Sequence, residues 1–261
     1  MKTSIPCVNK LFFYLKLFLH LVRERTDAEN FGIAKFMEFA AAEIKPSDYT
    51  LDAGAGSRPY KQFFSHTKYE STDFADIFNK SFKDSHDFIC DLCNIPKPDN
   101  SYDAIICTQV LEHIEEPQRA LNEFFRVLKP NGKLFLTAPQ GWGLHGEPYH
   151  FFNFTKWGLQ SLFQKARFKI IFIKPRGGMF WYLGKRIKTL PCYIINQYLY
   201  QKNEDGSRKF KPKPIAFILY PLYLIGIPFC CFLIPLLFFY LDKLDKKQSY
   251  TLGYACYCVK I

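Results

Sequence analysis

The sequence predicts an α/β fold, a doubly wound and mostly parallel sheet of seven strands with an apolar helical insertion before the last strand. Short apolar runs that end in acidic or polar residues alternate with helical stretches, as strand–helix–strand units require. A glycine turn, Gly54-Ala55-Gly56-Ser57, directly follows the first apolar run. Because ligands bind beyond the carboxyl ends of parallel strands, the residues at those ends are the first candidates for a site.

The order of the elements follows from the apolar pattern. A helix is expected over 27–44, and Pro59 suits the first turn of another helix after the glycine turn. Pro117 begins a third helix, which the turn at 129–132 ends. Strands are predicted at 49–52, 69–72, 87–90, 102–107, 133–138, 168–174 and 251–261.

The glycine turn admits two interpretations. Gly54 and Gly56 let the backbone approach a ligand where a Cβ would collide, but an ordinary strand-to-helix turn uses glycine in the same way. Asp73, about twenty residues beyond the turn, stands where a carboxylate accepts hydrogen bonds from both hydroxyls of a ribose, although a plain turn residue also fits there. The polar residues expected at the same edge of the sheet are Asp52, Asp73, Asp91 and Gln109.

Charge and cysteine content narrow the partners and the compartment. The chain of 261 residues carries a net charge of +11, concentrated between residues 174 and 213, which suits nucleic acid or anionic lipid, or else a solvated face. The cysteines are scattered, several of them in apolar runs, which indicates a reducing compartment. Cys90 and Cys93 have the spacing of a metal-binding pair, but no second pair stands at zinc-ligand spacing, so no metal is predicted.

Six motifs in order carry a resemblance to a known family. They are Leu51-Asp52-Ala53-Gly54-Ala55-Gly56, Asp73, Asp91-Leu92, Asp99-Asn100-Ser101-Tyr102-Asp103, Val110-Leu111-Glu112-His113 and Arg126-Val127-Leu128-Lys129-Pro130-Asn131-Gly132. Over residues 49–168 the chain resembles class I S-adenosylmethionine-dependent methyltransferases of the bacterial ubiquinone and menaquinone group. The resemblance implies a Rossmann-like fold and S-adenosyl-L-methionine as cofactor.

The resemblance also implies a role for each motif. The glycine loop, Gly54 to Ser57, and Asp52 would face the methionine end of the cofactor, Asp73 would hold the ribose, and Asp91 with Leu92 would border the adenine. Ser57 stands where a third glycine is common in the family, and Asn131 where glycine is usual. A dinucleotide site is disfavoured, because its third glycine would fall at Pro59.

The segment 139–155 is the best candidate for a lid over the methyl acceptor, because it follows the fifth strand and mixes glycines with aromatic residues. His145 and His150 are the candidate catalytic residues, since imidazole handles protons near neutral pH. The segment resembles one in bacterial methyltransferases in which an acidic residue occupies the position of His150. Alternatively, both histidines only pack within the loop. Glu112 and His113 are expected to orient other groups rather than to act as catalysts.

Two apolar segments suggest contact with a membrane. The run at 11–22 is too short to cross a bilayer, so it either lies in the interface or packs on the protein's own surface. The stretch 214–241 carries no charge and is long enough to cross, but a single crossing would separate the last strand from its sheet. Prolines in it therefore suggest two short helices that enter one leaflet and return. The alternatives are a helical pair in the protein core or a dimer contact.

The predicted organisation has three parts: an interfacial segment at 1–26, a methyltransferase domain at 27–178 with 249–261, and a basic and apolar insertion at 179–248. The expected activity is methylation of a lipid, quinone or lipid-linked glycan by a cytoplasmic protein, peripheral or monotopic at the inner membrane face. Methylation of RNA or DNA is disfavoured because no nucleic-acid module is recognisable. A non-catalytic scaffold that keeps the fold is the third alternative.

Overall fold

The computed structural model describes residues 21–74, 86–202 and 208–261, so most of the predicted interfacial segment lies outside the described residues. The chain forms two compact units. One, here called the hairpin unit, comprises the described residues of 21–31 and of 177–250. The other, here called the sheet unit, comprises Gly32–Arg176 and Thr251–Ile261.

The sheet unit contains the predicted seven-stranded sheet. Its strands are β1 (Tyr49–Ala53), β2 (Lys68–Asp73), β3 (Phe88–Ile89), β4 (Tyr102–Thr108), β5 (Leu128–Pro139), β6 (Phe168–Pro175) and β9 (Gly253–Lys260). Their order across the sheet is β3-β2-β1-β4-β5-β9-β6. All strand pairs of this sheet are parallel except those of β9, which runs antiparallel between β5 and β6. The sequence predicts this last strand but not its direction.

Helices cover both faces of this sheet. On one face, Phe36 and Met37 of α1 (Ala28–Glu43) pack in a cluster with Ile106 and Phe135. On the other face, α2 (Pro117–Val127) and α3 (Lys156–Lys165) pack in a cluster with the alternate strand residues, such as Ile105. Successive side chains of a strand point to opposite faces, so both faces of these apolar strands are buried.

Two local expectations are wrong. The chain after the glycine turn forms only a short 3-10 helix at Lys61–Phe64, and Pro59 lies in the turns before it, so no α-helix follows β1 directly. Strand β5 begins at Leu128 and includes the predicted turn at 129–132, because α2 ends one residue earlier and the chain extends at once. Asn131 has a φ of 64°, which asparagine tolerates where glycine is common.

The hairpin unit is built on two long helical segments joined by a small sheet of β7 (Tyr200–Lys202) and β8 (Arg208–Phe210). The first segment is α4 (Met179–Leu199). The second combines α5 (Ile215–Ile227), a π-helix (Pro228–Leu233) and α6 (Ile234–Leu241), and it forms one helix from Pro214 to Leu244. The expectation of two short helices that enter and return is therefore wrong for 214–241, because the prolines do not break the helix.

The two long segments run antiparallel and are joined at their base. The Asp242 carboxylate accepts hydrogen bonds from the backbone N–H of Gly178 (2.9 Å) and of Trp181 (3.0 Å), at the start of α4. Lys185 forms ion pairs with Asp27 (3.2 Å) and Glu29 (3.1 Å), which draws the chain before residue 31 against α4. The basic residues near the start of α4 are thus partly neutralised within the unit.

Candidate active site

The glycine turn is held against the neighbouring strand by its own backbone. The N–H groups of Gly54 and Ala55 donate to the carbonyl of Thr72 at 2.9 and 3.0 Å. Gly54 has a φ of +78°, and a Cβ placed on it would lie 2.4 Å from a methyl group of Val110. Glycine is therefore required at position 54, both by the backbone conformation and by the close approach of Val110.

Asp73 ends β2 and faces the same turn. One of its carboxylate oxygens accepts a hydrogen bond from the N–H of Gly56 at 2.7 Å, and the other accepts from the N–H of Phe74 at 2.7 Å. A carboxylate offers about four acceptor positions, so two remain for a ligand. Asp73 thus braces the glycine turn and still presents acceptors toward the cleft, as the sequence predicts for a ribose ligand.

Asp52 lies at the end of β1 and is buried. Its carboxylate accepts a hydrogen bond of 2.5 Å from the hydroxyl of Tyr69, on β2. Burial raises the pKa of Asp52 to about 6, although the Tyr69 hydrogen bond opposes that rise. Near neutral pH the side chain therefore carries a negative charge that the fold alone does not favour, which suits a cationic ligand group nearby.

We expect Asp52→Asn to stabilise the unliganded protein at pH 8. The folded-state pKa of about 6 exceeds the ordinary value of 3.8, so the stability that this group contributes is complete below pH 3.8 and is lost as pH rises through 6. Since one pKa unit corresponds to about 1.4 kcal/mol, the free energy of unfolding should rise by ~1–3 kcal/mol at pH 8.

Urea unfolding at pH 8 and near pH 4 measures this effect. Asparagine keeps an acceptor for the Tyr69 hydroxyl, and Tyr69→Phe serves as the control because it removes the hydrogen bond and leaves the charge. An Asp52→Asn gain of the same size at both pH values would show that burial of the carboxylate charge is not its cause.

A cleft of about 870 Å³ opens at the carboxyl ends of β1, β2 and β4. This volume lies within the range of about 300–1,000 Å³ that small-molecule and cofactor sites occupy. Six of the predicted site residues line it, which brings together groups separated by more than ninety positions in the chain. They are Gly54, Asp73, Asp91, Leu92, Gln109 and His145.

The remaining predicted residues lie beside the cleft or away from it. Gly56 reaches it only through its hydrogen bond to Asp73, and Asp52 lies beneath the glycine turn. Ser57 is exposed and does not line the cleft. The ring of His150 stacks near that of His145, with 4.2 Å between centroids, without lining the cleft itself.

Asp91, Leu92 and Cys93 form one wall of the cleft. An Asp91 carboxylate oxygen accepts a hydrogen bond from the N–H of Cys93 at 2.8 Å, which leaves Leu92 between them as an apolar contact surface. The Cys93 thiol donates to the carbonyl of Glu116, and burial raises its pKa to about 11. Among the described cysteines, Cys90 and Cys93 are both free thiols.

Gln109 ends β4 in an unusual backbone conformation, with a φ of 56°. Its side-chain amide donates to the hydroxyl of Thr137 on β5 at 3.1 Å, and its backbone N–H donates to the carbonyl of Thr137 at 3.1 Å. Non-glycine residues in this region are concentrated at ligand sites, where the surrounding structure compensates the strain. The turn places Val110 against Gly54 and directs the following residues into the cleft.

Three histidine rings meet at the end of the cleft. The centroid of His113 lies 4.8 Å from that of His145 and 5.8 Å from that of His150. Burial lowers the pKa of both His113 and His150, and the neighbouring His145 lowers each further, so these two rings are neutral near pH 7. Neutral imidazoles accept protons and bind metals.

The sequence motifs contain further cleft residues that were not predicted as site residues. Val110 and His113 belong to the motif at 110–113, and Tyr149 and Phe151 belong to the candidate lid. The N–H of Phe151 donates to the carbonyl of Glu112 at 2.9 Å, which joins the lid to that motif. The aromatic residues of the lid were the available signal, but only the folded loop shows which rings face the cleft.

The residues present fit an adenosyl sulfonium ligand. The glycine turn leaves a cradle that a side chain at position 54 would fill, and Asp73 has acceptors for two hydroxyls. Leu92 provides an apolar surface for a planar base, and the buried charge of Asp52 lies near the turn that would face an ammonium group. The cleft thus offers one matching group for each part of such a molecule.

Comparisons with known proteins agree with this site. The pattern of the family described as Methyltransferase domain matches residues 51–136. Over 212 residues the chain is 34% identical to MJ0638, an uncharacterized protein of Methanocaldococcus jannaschii, and the match covers 77% of this chain and 87% of that protein. The match to MJ0638 extends well beyond the sheet motifs.

Two further relatives match over shorter regions. The chain is 35% identical to demethylmenaquinone methyltransferase of Paenarthrobacter aurescens over 104 residues, 37% of this chain and 40% of that enzyme. It is 29% identical to Probable tRNA methyltransferase 9B of Homo sapiens over 114 residues, 42% of this chain and 24% of that protein. Both matches span less than half of the relative.

Proposed function

Since the chain belongs to the class I S-adenosylmethionine-dependent methyltransferases, we propose that it methylates a membrane-associated acceptor, namely a lipid, a quinone or a lipid-linked glycan. The observation that carries the membrane part of this proposal is the exposed apolar surface of the hairpin unit. The proposed location is the cytoplasmic face of the inner membrane, as a peripheral or monotopic protein.

The helix Pro214–Leu244 carries no charged residue before Asp242, yet only 6% of its most apolar window is buried. Soluble proteins rarely leave an apolar surface of this extent in contact with water, and larger patches mark interaction sites. At about 1.5 Å per residue, its 31 residues are long enough to cross a bilayer. Exposed apolar side chains on it include Phe217, Ile218, Leu222, Ile225 and Leu233.

Basic residues adjoin this apolar surface. Lys209, Lys211 and Lys213 are exposed and precede the apolar helix directly. Each Lys or Arg near an anionic leaflet contributes about 1 kcal/mol of attraction. The three lysines would therefore strengthen membrane binding beyond what burial of the apolar side chains provides. The arrangement of a cationic segment next to an apolar helix supports binding to lipid more than binding to nucleic acid.

Within the sheet unit, the reaction asks mainly for alignment. The cofactor, when bound, supplies a methyl group on a sulfonium that is already a good leaving group. The carboxylate of Asp73 and the wall formed by Leu92 would hold it in place, and the lid would exclude water and orient the acceptor. If the acceptor loses a proton, His145 or His150, whose ring centroids lie 4.2 Å apart, would accept it.

Sedimentation with vesicles tests the membrane proposal. We expect the full-length protein to bind vesicles of phosphatidylcholine with phosphatidylglycerol, and more weakly vesicles of phosphatidylcholine alone. Combined Phe217→Ser, Ile218→Ser and Ile225→Ser should weaken binding at least ~100-fold, because each side chain contributes about 1.5–3 kcal/mol when buried in lipid. Circular dichroism checks that the variant stays folded.

Trp157→Ser is the matched control, since Trp157 is 70% exposed on the sheet unit and should not affect vesicle binding. Recovery of the wild-type protein without detergent and without vesicle binding would contradict the proposal. Binding of RNA that falls steeply with salt would instead support the nucleic-acid alternative. A screen of lipid extracts with a labelled methyl donor then identifies the acceptor class.

A further inference from the structure

A carboxylate and two imidazoles converge at the end of the cleft. Glu112, His113 and His145 each offer one potential ligand atom, and these atoms all lie within 4.8 Å of one another. Glu112 and His113 are adjacent on the short 3-10 helix after β4, and His145 reaches them from the lid. Among the described residues, no other set of three such groups comes this close.

Both histidines are oriented by backbone carbonyls. Nδ1 of His113 lies 2.6 Å from the carbonyl oxygen of Tyr149, and Nδ1 of His145 lies 2.9 Å from that of Gly143. A carbonyl oxygen can only accept, so in both hydrogen bonds the proton is on Nδ1, and Nε2 keeps its lone pair. This is the arrangement in which proteins hold metal-binding histidines, where an outer acceptor sets the tautomer and the ring orientation.

Glu112 supplies the carboxylate of the set. It is 1% exposed, and a buried carboxylate is stabilised by a nearby cation. Its backbone carbonyl accepts hydrogen bonds from the N–H groups of Phe151 (2.9 Å) and Phe152 (3.3 Å), which joins the lid to the short helix that carries Glu112 and His113. Backbone contacts thus hold both histidine rings and the segment that carries Glu112.

We propose that Glu112, His113 and His145 bind one divalent transition-metal ion, with zinc as the best match to two imidazoles and one carboxylate. Sites of this composition usually leave a fourth position for water or a substrate oxygen. Because His113 and His145 also line the cleft, that position is accessible from the acceptor side. The metal would hold an oxygen of the acceptor, and His150 would remain as the proton acceptor.

The proposal goes beyond methyl transfer to a membrane acceptor and does not depend on it, since metal binding is measured without cofactor, acceptor or lipid. Chelator-treated full-length protein is titrated with Zn²⁺ in a calorimeter, with Mg²⁺ as the control ion. We expect one Zn²⁺ per chain, no comparable binding of Mg²⁺, and a rise in the melting temperature with Zn²⁺. Co²⁺ should give the visible absorption of a four-coordinate site.

Single substitutions identify the ligands. His145→Ala and His113→Ala should each weaken Zn²⁺ binding at least ~100-fold, since even outer partners of a metal site contribute about 10–100-fold. His66→Ala is the matched control, because His66 also contacts a backbone carbonyl, that of Ile44, but lies outside the cluster. Its variant should bind Zn²⁺ as the wild type does.

Three results would overturn the proposal: no stoichiometric Zn²⁺ binding by the wild type, unchanged binding by His145→Ala, or loss of binding in His66→Ala. Zn²⁺ binding that is lost in Cys93→Ser but kept in His145→Ala would also overturn the proposal. That result would assign the metal to the thiols of Cys90 and Cys93. Circular dichroism of each variant separates loss of a ligand from loss of the fold. His145 is on the partly exposed lid, so its removal should leave the core intact.

Discussion

Asp73→Ala is expected to weaken binding of S-adenosyl-L-methionine by about 100-fold. If Asp73 holds the ribose as the sequence predicts, the variant loses two charge-assisted hydrogen bonds to the ribose hydroxyls, each contributing roughly 1.5 kcal/mol or more. It also loses the acceptor that holds the N–H of Gly56 at 2.7 Å, so the glycine turn is no longer braced. Titration calorimetry on the full-length protein measures the change.

Two variants separate the ribose contacts from a general structural effect. Asp73→Asn keeps one acceptor oxygen and should give an intermediate loss of affinity. Asp48→Ala is the matched control, because Asp48 also accepts a hydrogen bond from a backbone N–H, that of Lys45 at 3.0 Å, but outside the cleft. An Asp73→Ala variant that binds the cofactor as tightly as the wild type would remove Asp73 from the site.

Gly54→Ala is expected to destabilise the protein by ~2–4 kcal/mol and to impair cofactor binding. The new Cβ would lie 2.4 and 2.6 Å from the two methyl groups of Val110, and the residue would keep a φ of +78° that alanine disfavours. Val110 lines the cleft, so its displacement would narrow the space for the ligand. Urea unfolding and calorimetry measure the two effects separately.

Gly56→Ala provides the control for this prediction. Gly56 also has a positive φ, +51°, but a Cβ there would meet no atom within 4 Å, so only conformational strain of about 1 kcal/mol is expected. Combining Gly54→Ala with Val110→Ala should restore the stability lost through the collision, but not the stability lost through the positive φ. Equal destabilisation by Gly54→Ala and Gly56→Ala would exclude the collision with Val110 as the cause.

The strands and their polar ends were predictable because they depend on short-range patterns. Each segment that became β1, β2 or β4 ends in its cleft residue or is followed directly by it, and parallel strands align such ends at one edge. The glycine turn and Asp73 therefore came together as expected. The last strand was predictable for a similar reason, since its alternating residues are typical of a strand, but its antiparallel direction was not predicted.

The apolar helix was predicted less well. Prolines at 221, 228 and 235 suggested a break, but the chain continues as one helix and adopts a π-helix at Pro228–Leu233. Proline lacks an N–H, and a local change to wider hydrogen bonding accommodates that loss without ending the helix. Packing of α4 along this helix is a long-range contact that proline spacing does not report.

Local residue order thus accounts for the sheet, the glycine cradle and the cofactor class of this protein. The chemistry at the far end of the cleft depends on contacts between distant segments. The Tyr69 hydroxyl holds Asp52, and the carbonyls of Gly143 and Tyr149 set which nitrogen of His145 and His113 is free. These contacts depend on the register of the strands and on the conformation of the lid. Packing of the whole sheet unit determines the register and the lid conformation, and neighbouring residues in the chain do not.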